Sequence, residues 1–420
     1  MAIQPVNDPM ESRPSTDRNS GNTLLKWLAS LGPGIITAAL VFGPSKITIT
    51  SKMGAEYGYS LLWIVVVAIF FMAVFTAMAA RIGLATQQSF LSTIRERWGK
   101  AASIGLGIGV FLVTTSFQAG NSIGVGIALA EATQTSPKPW IILFNVIAIG
   151  LLFFRTFYKV LEKLMITLIS LMLFAFVITL FLAKPDFTKV AMGFVPSLPV
   201  GSRGLTIAFV ASTFSIVGAL YQSYLVQERR RVNPGLVQYH NASRTGIVIL
   251  GILSAIVMIC GAAILHPQGI KVVSATDMAK ALEPLFGHMS SSLFLAGLFG
   301  ASFSALIGNS TLGGTLLGDA LGYGSQLNTK AVRGLIALIM VIGAAIALSF
   351  GKLPLELIIL AQSVTILIVP FIGLAMYVLA NDTQIMGQYR NTISAKVVGG
   401  LGLLLIIGLA ISNVNELFFK

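Results

Sequence analysis

The chain has 420 residues, of which 55% are hydrophobic and only 10% are charged, and its formal net charge is +13. Soluble globular domains carry about 25% charged residues, so this composition excludes a water-soluble enzyme and a soluble nucleic-acid-binding protein. Long uncharged runs, such as 61–80 and 335–350, are typical of helices that cross a lipid bilayer. The composition therefore predicts a polytopic integral membrane protein.

The apolar runs follow a polar tail, residues 1–25, which is rich in Ser, Asn and Pro and is predicted to be disordered. We expect each run to be an α-helix, because a helix satisfies its own backbone hydrogen bonds in lipid. The eleven predicted segments are Trp27–Met53, Ser60–Ile82, Ala101–Ala130, Trp140–Phe157, Lys163–Ala183, Leu205–Gln227, Thr245–Leu265, Ser290–Leu317, Val332–Phe350, Leu355–Leu379 and Lys396–Ile411.

The distribution of Lys and Arg predicts the orientation in the membrane. If the N-terminus is cytoplasmic, the tail and the loops on that side hold 18 basic residues, including Arg229–Arg231, and the opposite side holds 8. Basic residues favour the cytoplasmic side, so we expect the N-terminus inside, the C-terminus outside and the protein in a bacterial inner membrane. The basic excess then lies beside anionic lipid, and no nucleic-acid partner is expected.

Two segments contain signals for a broken helix. The first includes Gly43-Pro44, where a flexible residue precedes one that cannot continue a helix, and the sixth includes the small, hydroxyl-rich stretch 212–219. In transporters built from inverted repeats, broken helices at corresponding positions meet at the substrate site near the bilayer midplane. A spacing of five segments predicts repeats at 26–183 and 203–380, followed by an eleventh helix at 395–414; two unrelated kinks are the alternative.

Four stretches carry a resemblance to a known family. They are GPGIITAALVFGPSKITITSKMGAEYGYSLLW (Gly32–Trp63), ALYQSYLVQERRR (Ala219–Arg231), LFLAGLFGASFSALIG (Leu293–Gly308) and ILAQSVTILIVPFIGLAMYVLANDTQIMG (Ile359–Gly387). Over about residues 24 to 415 the chain resembles the NRAMP family of proton-coupled divalent-metal transporters. The resemblance implies an all-α, LeuT-like membrane fold of eleven helices, with two inverted five-helix repeats and an eleventh helix.

The departures from this family fall in the site that the resemblance implies. The aspartate and asparagine that bind metal in the family's first helix correspond to Gly43 and Lys46. The sixth-helix Met-Pro-His corresponds to about Ile216-Val217-Gly218. In the tenth helix, a glutamine that helps to hold the ion corresponds to Ile368, although Gln362 lies earlier in the same helix.

The residues that the family connects with proton movement differ as well. An acidic pair in the third helix corresponds to Gln118 and Asn121, and Arg333 lies near the family's ninth-helix arginines. Transition metals need carboxylate, imidazole, thiolate or thioether ligands, and the acidic residues Glu228 and Asp319 fall at segment ends. We therefore expect one buried positive charge, Lys46, and no buried negative one.

Three hypotheses account for Lys46. It pairs with an anionic group of a substrate, aided by the N-terminal ends of broken helices. It is instead a tethered cation that occupies the former ion position, where it is either structural or carries the proton coupling. In the third hypothesis it points away, and backbone carbonyls with Gln362 still bind a metal.

We predict from these features a secondary transporter that works by alternating access at the broken first and sixth helices. Metal transport is expected to be weak or absent, and a small anionic or zwitterionic solute is favoured, with protons as a candidate coupling ion. The alternatives are a proton-coupled transporter of divalent Mn, Fe or Mg and a non-transporting sensor or scaffold. No catalytic motif, cofactor or dedicated metal site is predicted.

The candidate residues follow from the two breaks and the resemblance. The predicted substrate-binding residues are Gly43, Pro44, Ser45, Lys46, Ser215, Ile216, Val217, Gly218 and Gln362. The predicted coupling or pathway residues are Lys46, Gln118, Asn121, Gln222 and Arg333.

Overall fold

The computed structural model describes residues 41–153, 157–232, 240–273, 277, 279, 287–350 and 355–418. Every regular element in these ranges is helical. In chain order the α-helices are α1 (Pro44–Tyr57), α2 (Leu62–Ala85), α3 (Phe90–Trp98), α4 (Lys100–Thr133), α5 (Pro137–Leu151), α6 (Phe157–Ala183), α7 (Phe187–Met192), α8 (Arg203–Thr213), α9 (Ile216–Val232), α10 (His240–Cys260), α11 (His288–Leu321), α12 (Lys330–Phe350), α13 (Leu355–Asn381), α14 (Thr383–Met386) and α15 (Ile393–Phe418).

Eight helices within the described ranges are long and apolar enough to cross a membrane, with α8 and α9 taken together as one interrupted span. Two shorter apolar helices, Pro137–Leu151 and Ser170–Ala183, add to them. Each of the eleven predicted segments overlaps at least one observed helix, which confirms the predicted all-α membrane fold. The predicted N-terminal tail and the first half of the first segment lie outside the described residues.

The centre of the bundle is built on the pair α4 and α11, which pack against each other along their length. Each has 34 residues and is therefore about 51 Å long, well beyond the ~30 Å of a bilayer's hydrocarbon core. Small residues allow this close approach. A Cβ at Gly313 of α11 would lie 2.1 Å from Oγ1 of Thr114 on α4.

Short helices in the loops are the elements that the sequence did not predict. They are α3, α7 and α14, of 9, 6 and 4 residues. All three begin at a polar cap: the Ser89 hydroxyl accepts from the Ser92 amide, and the Asp186 and Asp382 carboxylates accept from the second and third amides of α7 and α14. The fourth predicted segment also begins earlier, at Pro137, and its helix ends at Leu151.

Two large cavities lie at opposite ends of the bundle. The first, called here the Arg230 cavity, has a volume of about 730 Å³ and is bounded by Gly83 at the end of α2, by α9 and by the end of α11. The second, called the His266 cavity, has a volume of about 650 Å³ and is bounded by the residues between α1 and α2 and by His266. Because α2 runs from one to the other, about 36 Å of helix separates them.

Candidate central site between the broken helices

The first helix break lies at Phe42 and Gly43, which are not helical. Gly43 has extended backbone angles, φ −106° and ψ −179°, and Pro44 follows at the first position of α1. Proline suits that position because the first amides of a helix lack intrahelical partners. The Gly43 carbonyl accepts from the amides of Lys46 and Ile47, each over 3.1 Å, so this oxygen is already used in starting α1.

The second break separates α8 from α9 at Phe214 and Ser215. Phe214 has φ −78° and ψ 56°, which is not helical, and the Ile216 amide donates to the Phe214 carbonyl over 2.8 Å, which closes a three-residue turn centred on Ser215. The Ser215 hydroxyl then accepts from the Gly218 amide over 3.2 Å. The predicted break in the sixth segment is confirmed, and a serine cap replaces the missing proline.

A small cavity, called here the central cavity, lies where the two breaks meet and has a volume of about 50 Å³. At about 10–15 Å³ for each water, it has room for three or four water molecules. The N-terminal turns of α1 and α9 and the last turn of α8 all reach it. It is lined by Val41, Gly43, Ser45, Lys46, Val113, Thr114, Phe117, Asn121, Ala211, Ser212, Ser215, Val217, Gly218, Asn309, Leu312, Gln362, Thr365 and Val369.

Lys46 is the charged residue of this cavity, and its side chain is 2% exposed. Its ammonium donates a hydrogen bond to Oγ1 of Thr213 and lies 4.9 Å from the centre of the Phe209 ring, a cation–π contact. Both partners belong to α8, so Lys46 connects the two broken segments. An ammonium has three N–H donors, and Thr213 is its one hydrogen-bond acceptor among the described residues.

Gly43 lies so close to two neighbouring side chains that an added Cβ would have to displace them. A Cβ at this position would lie 2.9 Å from Oδ1 of Asn121 and 3.2 Å from Cβ of Ala305. Asn121 in turn donates to Gln118 over 3.4 Å. Gln118 also donates to the Leu306 carbonyl over 2.9 Å and accepts from Asn309 over 3.2 Å, so a polar network fills this side.

Gln362 of α13 contributes an amide group to the opposite wall. It is 2% exposed, and neither its Oε1 nor its Nε2 has a hydrogen-bond partner among the described residues. A buried amide without partners costs about 1–3 kcal/mol. Such a group is typical of a position that meets a bound solute or ordered water.

The structure brings most of the predicted site residues together. Those that line the central cavity are Gly43, Ser45, Lys46, Asn121, Ser215, Val217, Gly218 and Gln362. Four other candidates lie outside the described lining: Pro44 packs on Gly124, Gln118 belongs to the network behind Asn121, and Ile216 and Gln222 are fully buried. Arg333 is remote, because it donates to Leu327 and Asn328 at the start of α12.

Three residues outside the predicted binding and pathway sets contribute to the site. Thr213 and Phe209 contact the Lys46 ammonium, and Asn309 completes the network around Gln118. Thr213 belongs to the hydroxyl-rich stretch that predicted the break. The sequence therefore indicated a hydroxyl group at this place, but it did not indicate that the group would bond to Lys46. For Phe209, an aromatic residue in an apolar helix, the sequence carries no signal.

One prediction about charge is wrong. Asp319, at the end of α11, is 2% exposed, so a negative charge is buried as well. Its Oδ1 accepts from the hydroxyls of Ser89 and Ser92 over 2.7 and 3.0 Å, and its Oδ2 accepts from Tyr224 over 2.6 Å. The end of a predicted segment is buried here because α3, an unpredicted helix, covers it.

The donor set of the central cavity does not fit a transition metal. None of its described lining residues is Asp, Glu, His, Cys or Met. Elsewhere in the described chain, no three residues of the types His, Cys, Asp and Glu form a group that could hold a metal ion. The Lys46 ammonium adds repulsion for any divalent cation that enters.

Comparison with known sequences identifies the family. Residues 34–416 match the family described as natural resistance-associated macrophage protein-like. The divalent metal cation transporter MntH of Deinococcus radiodurans is 26% identical over 398 residues, covering 91% of this chain and 88% of that protein. MntH of Bacillus subtilis is 26% identical over 407 residues, covering 93% of each.

Comparison with solved structures agrees on the fold. The Eremococcus coleocola manganese transporter matches with a TM-score of 0.74 and 20% identity over 95% of this chain and 88% of that one. MhsT in complex with L-phenylalanine, a LeuT-fold transporter, matches with a TM-score of 0.57 and 15% identity over 90% of this chain and 98% of that one. This chain therefore belongs to the natural resistance-associated macrophage protein-like (Nramp) family of membrane transporters and has its LeuT-like helical fold.

Proposed function

We propose that this protein is a secondary transporter whose central site binds a small anionic or zwitterionic solute, with weak or absent transport of divalent metal. The observation that carries the proposal is the pairing of a buried ammonium, Lys46, with a lining that lacks metal-binding side chains among its described residues. The solute would enter between the broken helices, and alternating access would expose it to each side in turn.

Helix ends support the choice of an anion. The N-terminal turns of α1 and α9 lie at the cavity, and a helix N-terminus carries partial positive charge that favours an anionic group. Ser45 of α1 and Ser215, the cap of α9, add hydroxyl donors. The volume of about 50 Å³ favours a group as small as a carboxylate.

The neutral amide of Gln362 supports the same choice. Its Nε2 has no acceptor within the described residues, and an amide N–H₂ is a donor that suits a carboxylate oxygen. Lys46 also retains donors beyond the one bonded to Thr213. A carboxylate can accept from both residues. The Gln362 Oε1 is equally unpartnered, and an amide oxygen can bind a divalent cation, so the Lys46 ammonium is the group that separates the two alternatives.

Two observations weigh against the metal alternative, in which backbone carbonyls hold the ion. The Gly43 carbonyl already accepts two amide hydrogen bonds. The Phe214 carbonyl accepts from Ile216 in the turn between α8 and α9. Nramp relatives such as MntH are named as transporters of divalent metal cations. For these reasons we do not assign that substrate to the central cavity of this protein.

The orientation and the repeats belong to the proposal as well. Arg230 and Arg231 border the Arg230 cavity, which supports a cytoplasmic location for that end, with the N-terminus inside and the C-terminus outside an inner membrane. The breaks at Gly43 and Phe214, five segments apart, support a division into repeats at 26–183 and 203–380 and an eleventh helix at 395–414. Protons remain a candidate coupling ion.

Uptake into proteoliposomes tests the proposal. We expect no Mn²⁺ entry above that of empty liposomes, measured with an enclosed metal-quenched dye, and saturable uptake of at least one radiolabelled small solute among formate, acetate and glycine. Lys46→Met should lower that uptake at least tenfold, since a charge-assisted hydrogen bond contributes about 1.5–3 kcal/mol. Rapid Mn²⁺ uptake that survives Lys46→Met would contradict the proposal.

Lys52→Met is the matched control for this experiment. Lys52 lies on the same helix α1, but its ammonium is 3.2 Å from Glu56 in an ion pair near the helix end. The same substitution there should leave solute uptake within about twofold, because exposed ion pairs contribute little. Equal losses in both variants would show that the effect is not specific to the central cavity.

A non-transporting sensor or scaffold is the second candidate, and one contact favours it. The bond from Lys46 to Thr213 ties α1 to α8 across the site, as a tethered cation would. If no solute is taken up and Lys46→Met lowers the thermal stability without creating any uptake, the tether is structural and the second candidate is correct.

A further inference from the structure

The second buried charge, Asp319, lies far from the central cavity, at the wall of the Arg230 cavity. Lys46 and Asp319 are the two charged side chains classed as buried in the described part of the chain. Three different helices meet at the Asp319 carboxylate: it ends α11, and it accepts hydroxyl hydrogen bonds from α3 and from α9. Burying a carboxylate is costly unless such donors satisfy it.

Tyr224 is the central member of this cluster. Its hydroxyl donates to Asp319 over 2.6 Å and accepts from the Leu91 amide of α3 over 3.2 Å. It is 5% exposed and stacks on Tyr221, with ring centres 6.2 Å apart. The one hydroxyl thus connects α9 to both of its neighbours.

Arg95 of α3 adds a second connection between the same elements. Its guanidinium donates to the backbone carbonyl of Asp319 over 3.4 Å and to that of Ala320. The last carbonyls of a helix lack intrahelical partners, so Arg95 satisfies the end of α11 and places positive charge at that helix end. The other charged groups that border the cavity are Glu228, Arg230 and Arg231 of α9.

The position of Tyr224 along α9 links this cluster to the central cavity. Tyr224 lies nine residues after Ser215, which is about 13.5 Å of helix, and Ser215 begins α9 at the central cavity. A helix of 17 residues moves as a unit, so displacement of α9 at Tyr224 also displaces its N-terminal turn. Tyr221 and Thr315 border the Arg230 cavity between the two sites.

We propose that Asp319 is a positioning residue for transport: with Tyr224, Ser89 and Ser92 it forms a latch that holds α9 against α3 and α11 and so closes the route from the Arg230 cavity to the central cavity. Opening that route requires the three hydroxyls to leave the carboxylate. The latch acts on access alone, and it is independent of which solute the central cavity binds.

Cysteine labelling tests the latch without any knowledge of the solute. Cys260 is the single cysteine of the chain and is buried, so Cys260→Ala gives a cysteine-free background. Thr315→Cys then reports on access, because Thr315 is 2% exposed, borders the Arg230 cavity and lies one turn before Asp319. The rate of reaction with a methanethiosulfonate reagent is measured in lipid nanodiscs, where both faces are open.

We expect Tyr224→Phe to raise the labelling rate about tenfold, since it removes one charge-assisted hydrogen bond and keeps the ring. Asp319→Asn should raise the rate at least as much, and the double variant should be no faster than Asp319→Asn alone, because both changes break the same bond. Tyr323→Phe is the matched control: Tyr323 borders the same cavity but is 56% exposed.

Each outcome bears on the latch. Labelling rates in Tyr224→Phe and Tyr323→Phe that agree within twofold would overturn it, and so would independent, multiplying effects of Tyr224→Phe and Asp319→Asn. If Asp319→Asn does not fold, Ser89→Ala replaces it, with Ser116→Ala as its control, because the Ser116 hydroxyl bonds to the Val113 carbonyl of its own helix. A failed latch would leave the solute proposal untouched.

Discussion

The two buried charges of the described chain differ in how many hydrogen-bond partners satisfy them. Asp319 accepts three hydroxyl hydrogen bonds, and a guanidinium lies at its backbone. Lys46 has one hydroxyl acceptor and one ring face among the described residues, next to a glutamine with an unpaired amide. A satisfied charge stabilises a structure, whereas an under-satisfied one beside a cavity is typical of a site that binds something.

The sharpest test of this contrast is thermodynamic. Asp319→Ala should lower the free energy of unfolding by about 3 kcal/mol, because it leaves one buried and two half-buried hydroxyls without their acceptor. Lys46→Met should change the free energy of unfolding by less than about 1 kcal/mol or raise it. The substitution replaces a poorly satisfied buried charge with an uncharged side chain of similar volume. Chemical unfolding in detergent micelles measures both.

A loss in Lys46→Met as large as that in Asp319→Ala would break the comparison. It would mean that Lys46 is satisfied by groups beyond Thr213 and is structural. Glu96→Ala is the control, since Glu96 is exposed and, within the described residues, bonds to Gln88 alone; a change within about 0.5 kcal/mol is expected there.

Two glutamines extend the contrast to neutral groups. Gln118 bonds to Leu306, Asn121 and Asn309, so Gln118→Leu should lower the free energy of unfolding by about 2 kcal/mol. Gln362 has no bond among the described residues, so Gln362→Leu should leave the stability unchanged or raise it slightly, while it weakens solute uptake. Equal losses of stability in the two variants would indicate that Gln362 has a permanent partner.

The smallest expected effect concerns Gly43. Gly43→Ala should lower the free energy of unfolding by about 1–2 kcal/mol, because its Cβ would press on Asn121 and Ala305. Gly105→Ala is the control on α4: no atom lies within 4 Å of a Cβ there, and alanine favours a helix over glycine by about 1 kcal/mol. The two unfolding curves should therefore shift in opposite directions. A gain in stability from Gly43→Ala would show that Asn121 and Ala305 move to accommodate the added methyl group.

Much of the fold could be predicted from the sequence, because membrane helices are marked by long apolar runs. Runs of about 20 apolar residues fix the segments, and Gly43-Pro44 marks the first break. The second break was predicted from small and hydroxyl-bearing residues alone and was confirmed at Phe214 and Ser215. The short helix α3 was not predicted, because nine residues with mixed charge give no such signal.

The site was only partly accessible because its composition depends on tertiary contacts. Lys46 stood out as a charge inside an apolar segment, but its partners lie 163 and 167 residues away, at Phe209 and Thr213. Asp319 was assigned to a segment end, where water would normally solvate it. Its burial depends on α3 and on Tyr224, and no local pattern records that three helices converge there.

The close contact at Gly43 has a consequence for how this protein can change. The resemblance pairs this position with the family's aspartate, and a side chain added here would have to displace the end of the Asn121 side chain and press on Ala305. A carboxylate at position 43 would also share the central cavity with the Lys46 ammonium, which would attract it and repel a divalent cation. We therefore expect that building a metal-binding centre at this wall takes more than one substitution.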